Sequence, residues 1–79
     1  MNIKITLDLK CYKKGIFDIS VNNEQTIIEC LKIVNEGLNL NLNLSELNYC
    51  KSKREKKVVL VYSSFKESNI YTGDILEFI

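Results

Sequence analysis

The chain has 79 residues, 46% hydrophobic and 27% charged, with 11 basic and 10 acidic side chains and a net charge of +1. This length suits one domain, residues 1–79, near the lower size at which a core holds without disulfide or metal staples. The even charge balance argues against a nucleic-acid binder held by bulk electrostatics and against an enzyme for acidic substrates.

Ile3, Ile5, Leu7 and Leu9 alternate with Lys4, Thr6 and Asp8, the period of a half-buried strand. The charged stretch Lys10–Gly15 predicts a hairpin loop. Phe17, Ile19 and Val21 then alternate with Asp18 and Ser20 as a second, antiparallel strand. Thr26-Ile27-Ile28-Glu29 has the form of a capping box. From it, Ile27, Cys30, Leu31, Val34 and Leu38 fall on one helical stripe, with Glu29, Lys32 and Glu36 opposite. Gly37 is the expected left-handed stop.

Leu38–Leu44 alternates Leu with Asn. The period suits a strand, but Asn favours turns. The expected form is an irregular connection whose leucines plug the open end of the core. Leu47–Lys51 and Val58–Tyr62 read as the third and fourth strands, with Tyr49 inside rather than Cys50. Ser64–Ser68 reads as a short turn, and Gly73-Asp74 as the turn into a last strand, Ile75–Ile79. The expected fold class is α+β, a mixed sheet of four to five strands with one helix packed across one face.

The order β-β-α-β-β-β, with Phe65-x-x-x-x-Ile70-x-x-Gly73-Asp74-x-Leu76-x-Phe78 at its close, resembles the ubiquitin-like β-grasp domains. The opening Ile3, Thr6-Leu7-Asp8-Leu9, Tyr12 in the loop and Phe17-Asp18-Ile19 are similar to the YukD/EsaB-type proteins. These are ubiquitin-like accessory components of type VII secretion systems. The basic loop Lys53–Lys57 and the Leu-Asn alternation depart from that pattern. The resemblance implies a non-catalytic part of a secretion machine. Its implied partner is a membrane-anchored ATPase or another membrane subunit, met on the cytoplasmic side.

Little chemistry is expected. There is no histidine, which removes the commonest metal ligand and the usual general base. Cys11, Cys30 and Cys50 form no C-x-x-C pair. Cys11, near Lys10, Lys13 and Lys14, is the best-placed nucleophile but has no base to serve it. Asp8/Asp18 and Glu67/Asp74 are the paired carboxylates, expected in solvent with nothing to desolvate them. No phosphate-cradling glycine loop occurs. No cofactor, metal or small-molecule substrate is expected.

Surfaces remain. If Leu76 and Phe78 point inward, then Ile75, Glu77 and Ile79 point outward beside Lys4 and Thr6 of the first strand, a candidate partner-binding patch. The alternative is a small RNA- or anionic-lipid-binding adaptor using the basic loop Lys51–Lys57, although no aromatic residue is interleaved there to stack on bases. The chain ends at Ile79 inside the predicted last strand. A covalent modifier or sulfur carrier working through a terminal Gly-Gly is therefore not expected. The start of the chain lacks a signal-peptide core. The longest apolar run, Val58–Tyr62, is far short of the ~20 residues that span a bilayer. A cytoplasmic protein with reduced thiols is expected, meeting the membrane only through a protein partner.

Overall fold

The computed structural model describes residues 1–79. Strands β1 (Asn2–Asp8) and β2 (Ile16–Asn22) form the antiparallel hairpin, with Ile5 opposite Ile19 and Leu7 opposite Phe17. Between them a 3₁₀ turn, Lys10–Tyr12, ends at Lys13 with φ 61°. Ile3, Ile5, Leu7 and Leu9 are all buried, as the two-residue period requires. Phe17 and Ile19 are only partly covered, because β2 is an outer strand of the sheet.

The helix α1 (Ile27–Gly37) starts at the expected cap. The Thr26 hydroxyl accepts from the Glu29 N–H at 3.3 Å and donates to the Glu29 carboxylate at 2.9 Å. Two further free donors of the first turn, the N–H groups of Ile27 and Ile28, bond to the carbonyls of Ser63 and Val61. The start of the helix is thereby tied to the chain that follows the fourth strand. Ile27, Cys30 and Leu31 are buried and Val34 is partly so. They share one core with β1, and each such side chain contributes roughly 1.5–3 kcal/mol when fully covered.

The end of α1 corrects two expectations. Leu38 is exposed, because regular helix stops at Gly37 and the next residue leaves the stripe. The left-handed residue is Asn39 (φ 51°), not Gly37. The Asn39 N–H bonds to the Glu36 carbonyl and the Leu40 N–H to that of Asn35, the two bonds of a Schellman ending. Asn41 is left-handed too (φ 59°), a conformation that Asn tolerates better than most residues. The Asn35 side chain then clasps the backbone of Leu42, accepting from its N–H at 2.8 Å and donating to its carbonyl at 3.3 Å. Leu40 is buried, and Leu42 and Leu44 pack at the core margin. The alternation is thus a plug past Leu38: Leu40, Leu42 and Leu44 pack inward, while Asn39 and Asn41 supply the turns.

The other strands are β3 (Tyr49–Ser52), β4 (Lys57–Leu60) and β5 (Ile75–Glu77), each shifted or shorter than expected. The sheet runs β2-β1-β5-β3-β4, with β5 parallel to β1 and antiparallel to β3. In β3 the expected orientation is reversed: Cys50 is 1% exposed and Tyr49 55%. Pairing of Cys50 with the buried Val59 sets that parity. Between β4 and β5, Ser64 and Glu67 satisfy each other's backbone N–H groups. They hold Phe65 and Ile70, both fully buried, under the sheet end. Gly73, at φ 94°, takes the turn into β5 that a side chain would strain.

Candidate partner-binding surface

Two carboxylates expected in solvent are buried. Asp74, at the start of β5, accepts from the Ser52 hydroxyl at 2.6 Å, from the Ile75 N–H at 2.7 Å and from the Arg54 N–H at 3.3 Å. The Ser52 oxygen in turn accepts from the Glu55 N–H. A single carboxylate therefore ties β5 to the loop joining β3 and β4. Asp8, at the end of β1, accepts from the Lys10 N–H at 3.1 Å and lies 3.7 Å from the Lys53 ammonium. Lys53 also reaches Glu77 at 3.7 Å, so it straddles two carboxylates on neighbouring strands. Asp18, the expected companion of Asp8, instead accepts from the Thr6 hydroxyl at 2.6 Å. Glu67 is engaged by Ser64, and those hydrogen bonds hold its carboxyl below the usual value.

The candidate residues Lys4, Thr6, Ile75 and Glu77 share the sheet face away from α1, with Thr6 opposite Ile75. Several of them are already occupied. The Thr6 hydroxyl serves Asp18, Glu77 faces Lys53, and Ile75 is only 36% exposed. Ile79, past the end of β5, is open at 68%. The larger exposed apolar side chains of this face lie further along the sheet. Tyr49 pairs across the ladder with Leu60, and Lys51 with Val58. Val58 is 66% exposed and Leu60 49%. Tyr62 extends the row and is steadied by a hydrogen bond from its hydroxyl to Asn48 at 3.0 Å. Sequence reasoning missed this cluster because assigning Tyr49 to the core hid the outward set Tyr49, Val58 and Leu60. The alternation of Val58, Val59, Leu60 and Val61 held the signal, since only one parity of four apolar residues fits inside.

The basic loop is partly folded back. Lys53 is spent on Asp8 and Glu77, and the Arg54 guanidinium donates to the Thr72 carbonyl at 3.0 Å. Lys51, Lys56 and Lys57 are held by no acidic side chain. The thiols stay apart: Cys11 is exposed in the first loop, and burial pushes Cys30 up to about 11 and Cys50 to about 12. The charge of Asp74 adds to the shift of Cys50. Protonated thiols in apolar surroundings are poor nucleophiles. A shallow groove of about 320 Å³ runs between β2 and α1, lined by Ile19, Val21, Ile33 and Val34.

This architecture is that of a ubiquitin-like domain. Solved structures with the same fold include the C-terminal ubiquitin-like domain of mouse tubulin-specific chaperone e, at TM-score 0.70 and 12% identity over 99% of this chain and 84% of that one. A de novo protein designed on the basis of ubiquitin matches at TM-score 0.72 and 16% identity, over 99% of this chain and 87% of that one. No protein-family model matches the sequence. No curated protein matches it either. No helix is long and apolar enough to cross a membrane.

Proposed function

We propose that the chain is a non-catalytic ubiquitin-like binding module, an accessory or regulatory component of a bacterial type VII secretion system. In this reading it works on the cytoplasmic side by binding a membrane component, either the membrane-anchored ATPase or another membrane subunit. The observation that carries the binding role is the set of open apolar side chains, Tyr49, Val58, Leu60 and Ile79, on the helix-free face, with Ile75 on the far side of the Lys51 and Glu77 pair. Apolar side chains gathered on one face with a polar surround are the usual mark of a docking surface. The secretion role is supported by the likeness of Ile3, Thr6-Leu7-Asp8-Leu9, Tyr12 and Phe17-Asp18-Ile19 to YukD/EsaB-type proteins, and the Phe65–Phe78 stretch and the fold support it only at the level of a ubiquitin-like architecture.

The alternative, an RNA- or lipid-binding adaptor acting through Lys51–Lys57, has weaker support. Lys53 and Arg54 are turned back onto the protein, which leaves fewer free cations at the loop. Substituting Ile75→Asp and Ile79→Asp tests the binding role. The expected result is weaker secretion or partner capture by a protein that keeps its fold. Full capture by the folded double variant would remove that part of the face from the proposal.

A further inference from the structure

The two outer strands of the sheet are built differently. Residues of β2 whose backbone groups face away from β1 are Ile16, Asp18, Ser20 and Asn22, a mostly polar set. Polar and charged side chains are a common way to keep an edge from pairing with another chain. On β4 the corresponding residues are Val58 and Leu60. The Val61 N–H bonds to the Asn48 carbonyl, and alternation along the antiparallel ladder then turns Lys57 and Val59 toward β3. The backbone groups of Val58 and Leu60 therefore face outward. Only the Leu60 carbonyl finds a partner, the Ser63 N–H at 3.3 Å. The N–H and C=O of Val58 and the N–H of Leu60 stay open beside a shallow groove of about 200 Å³ lined by Lys57, Val58, Leu60, Ser63 and Ser68. No proline blocks this strand.

We propose that the free edge of β4 takes an added β-strand from its partner, an extended segment with apolar residues at alternate positions and acidic residues at one end. This rests on the binding-module reading and names the form of the ligand. Main-chain bonds to Val58 and Leu60 hold the strand, and its apolar side chains continue the row Tyr49, Leu60, Val58. Charge selects the partner. Lys56 and Lys57 at the start of β4 make no ion pair, whereas Lys53 close by has two acidic partners. An added strand running antiparallel to β4 lays its C-terminal end against Lys56 and Lys57, so the acidic residues belong there. A second copy of this chain, paired antiparallel through the same edge, lays Leu60 and Val61 rather than acidic residues against Lys56 and Lys57 and so lacks that charge match.

The test uses the whole chain and a fluorescein-labelled peptide of alternating valine and threonine ending in glutamates. A peptide ending in lysines is the control. The expected result is that the glutamate peptide binds, slows amide exchange at Val58 and Leu60, and binds at least roughly tenfold better than the control. Val58→Pro removes an open donor without taking a ladder bond, so the fold is retained. It is expected to weaken the peptide roughly tenfold, the effect of one main-chain bond with its partner left unpaired. Lys56→Glu with Lys57→Glu is expected to reverse the preference between the two peptides.

Protection confined to β2 or the β2–α1 groove, or equal binding of both peptides, would overturn the proposal. So would protection of Val58 and Leu60 that rises with protein concentration in the absence of peptide, which assigns the edge to a second copy. Normal capture of the membrane partner by folded Val58→Pro would remove the edge from binding while leaving the binding-module reading intact. That reading fails separately, if the unaltered chain captures no membrane subunit.

Discussion

The helix-free face of the sheet has two halves of opposite character. On the β1–β5 half nearly every polar group is committed: Thr6 to Asp18, Asp8 and Glu77 to Lys53, and Asp74, at its margin, to Ser52 and Arg54. On the β3–β4 half, Tyr49, Val58 and Leu60 stand open, and Lys56 and Lys57 at the start of β4 make no ion pair. The first half is joined by contacts between residues far apart in the chain and serves the fold. The second offers apolar area and unspent charge and is free to serve a partner. For a chain with no histidine and with its buried thiols held protonated, that division is the main functional information in the structure.

Substitutions sharpen the contrast, and Asp74→Ala should have the largest effect. It strands the Ser52 hydroxyl and the Arg54 and Ile75 N–H groups at the junction of β5 with the β3–β4 loop. The expected loss is about 3 kcal/mol of unfolding free energy, read from urea denaturation with an unchanged slope. A loss below about 0.5 kcal/mol would mean the junction is held by packing alone. Lys53→Ala comes next. Removing the bridge between Asp8 and Glu77 should cost about 1 kcal/mol in low salt, and the difference should shrink in high salt. A cost independent of salt would assign the role of Lys53 to its aliphatic stem.

The smallest effect on stability is expected on the open half. Val58→Thr with Leu60→Thr keeps strand-forming residues and removes exposed apolar groups, so the change should stay within about 0.5 kcal/mol. The same pair should reduce partner capture strongly. If it unfolds the protein instead, the β3–β4 half belongs to the core and the division of the face is wrong.

Much of the architecture was legible in the sequence because it rests on local signals. The β1–β2 hairpin follows from alternation, the start of α1 from Thr26 and Glu29, and the turn into β5 from Gly73-Asp74. What escaped depends on partners distant in the chain. Asp8 looked like an outward strand residue, and its burial needs Lys53 from another loop. Tyr49 and Cys50 were equally good candidates for the core until pairing with Val59 decided for Cys50. Asn39 and Asn41 were readable as turn formers, but the clasp of Leu42 by Asn35 was not. Alternation within β5 points to the exposed Ile75 and Ile79, but the outward set Tyr49, Val58 and Leu60 depends on the same cross-strand pairing that decides Tyr49. Ile75, Glu77 and Ile79 face outward as that alternation requires, but it carries no sign of the Lys53 contact that engages Glu77.

The most direct test of the binding role is affinity capture from gently solubilised membranes of the native host, followed by mass spectrometry. Three baits are compared: the unaltered chain, the Ile75→Asp/Ile79→Asp variant and the Val58→Thr/Leu60→Thr variant. The account predicts recovery of a membrane ATPase or another membrane subunit of a type VII secretion system by the unaltered chain, with clear loss on both variants. Recovery of ribosomes or RNA in its place, or a membrane subunit held equally by all three folded baits, would contradict it.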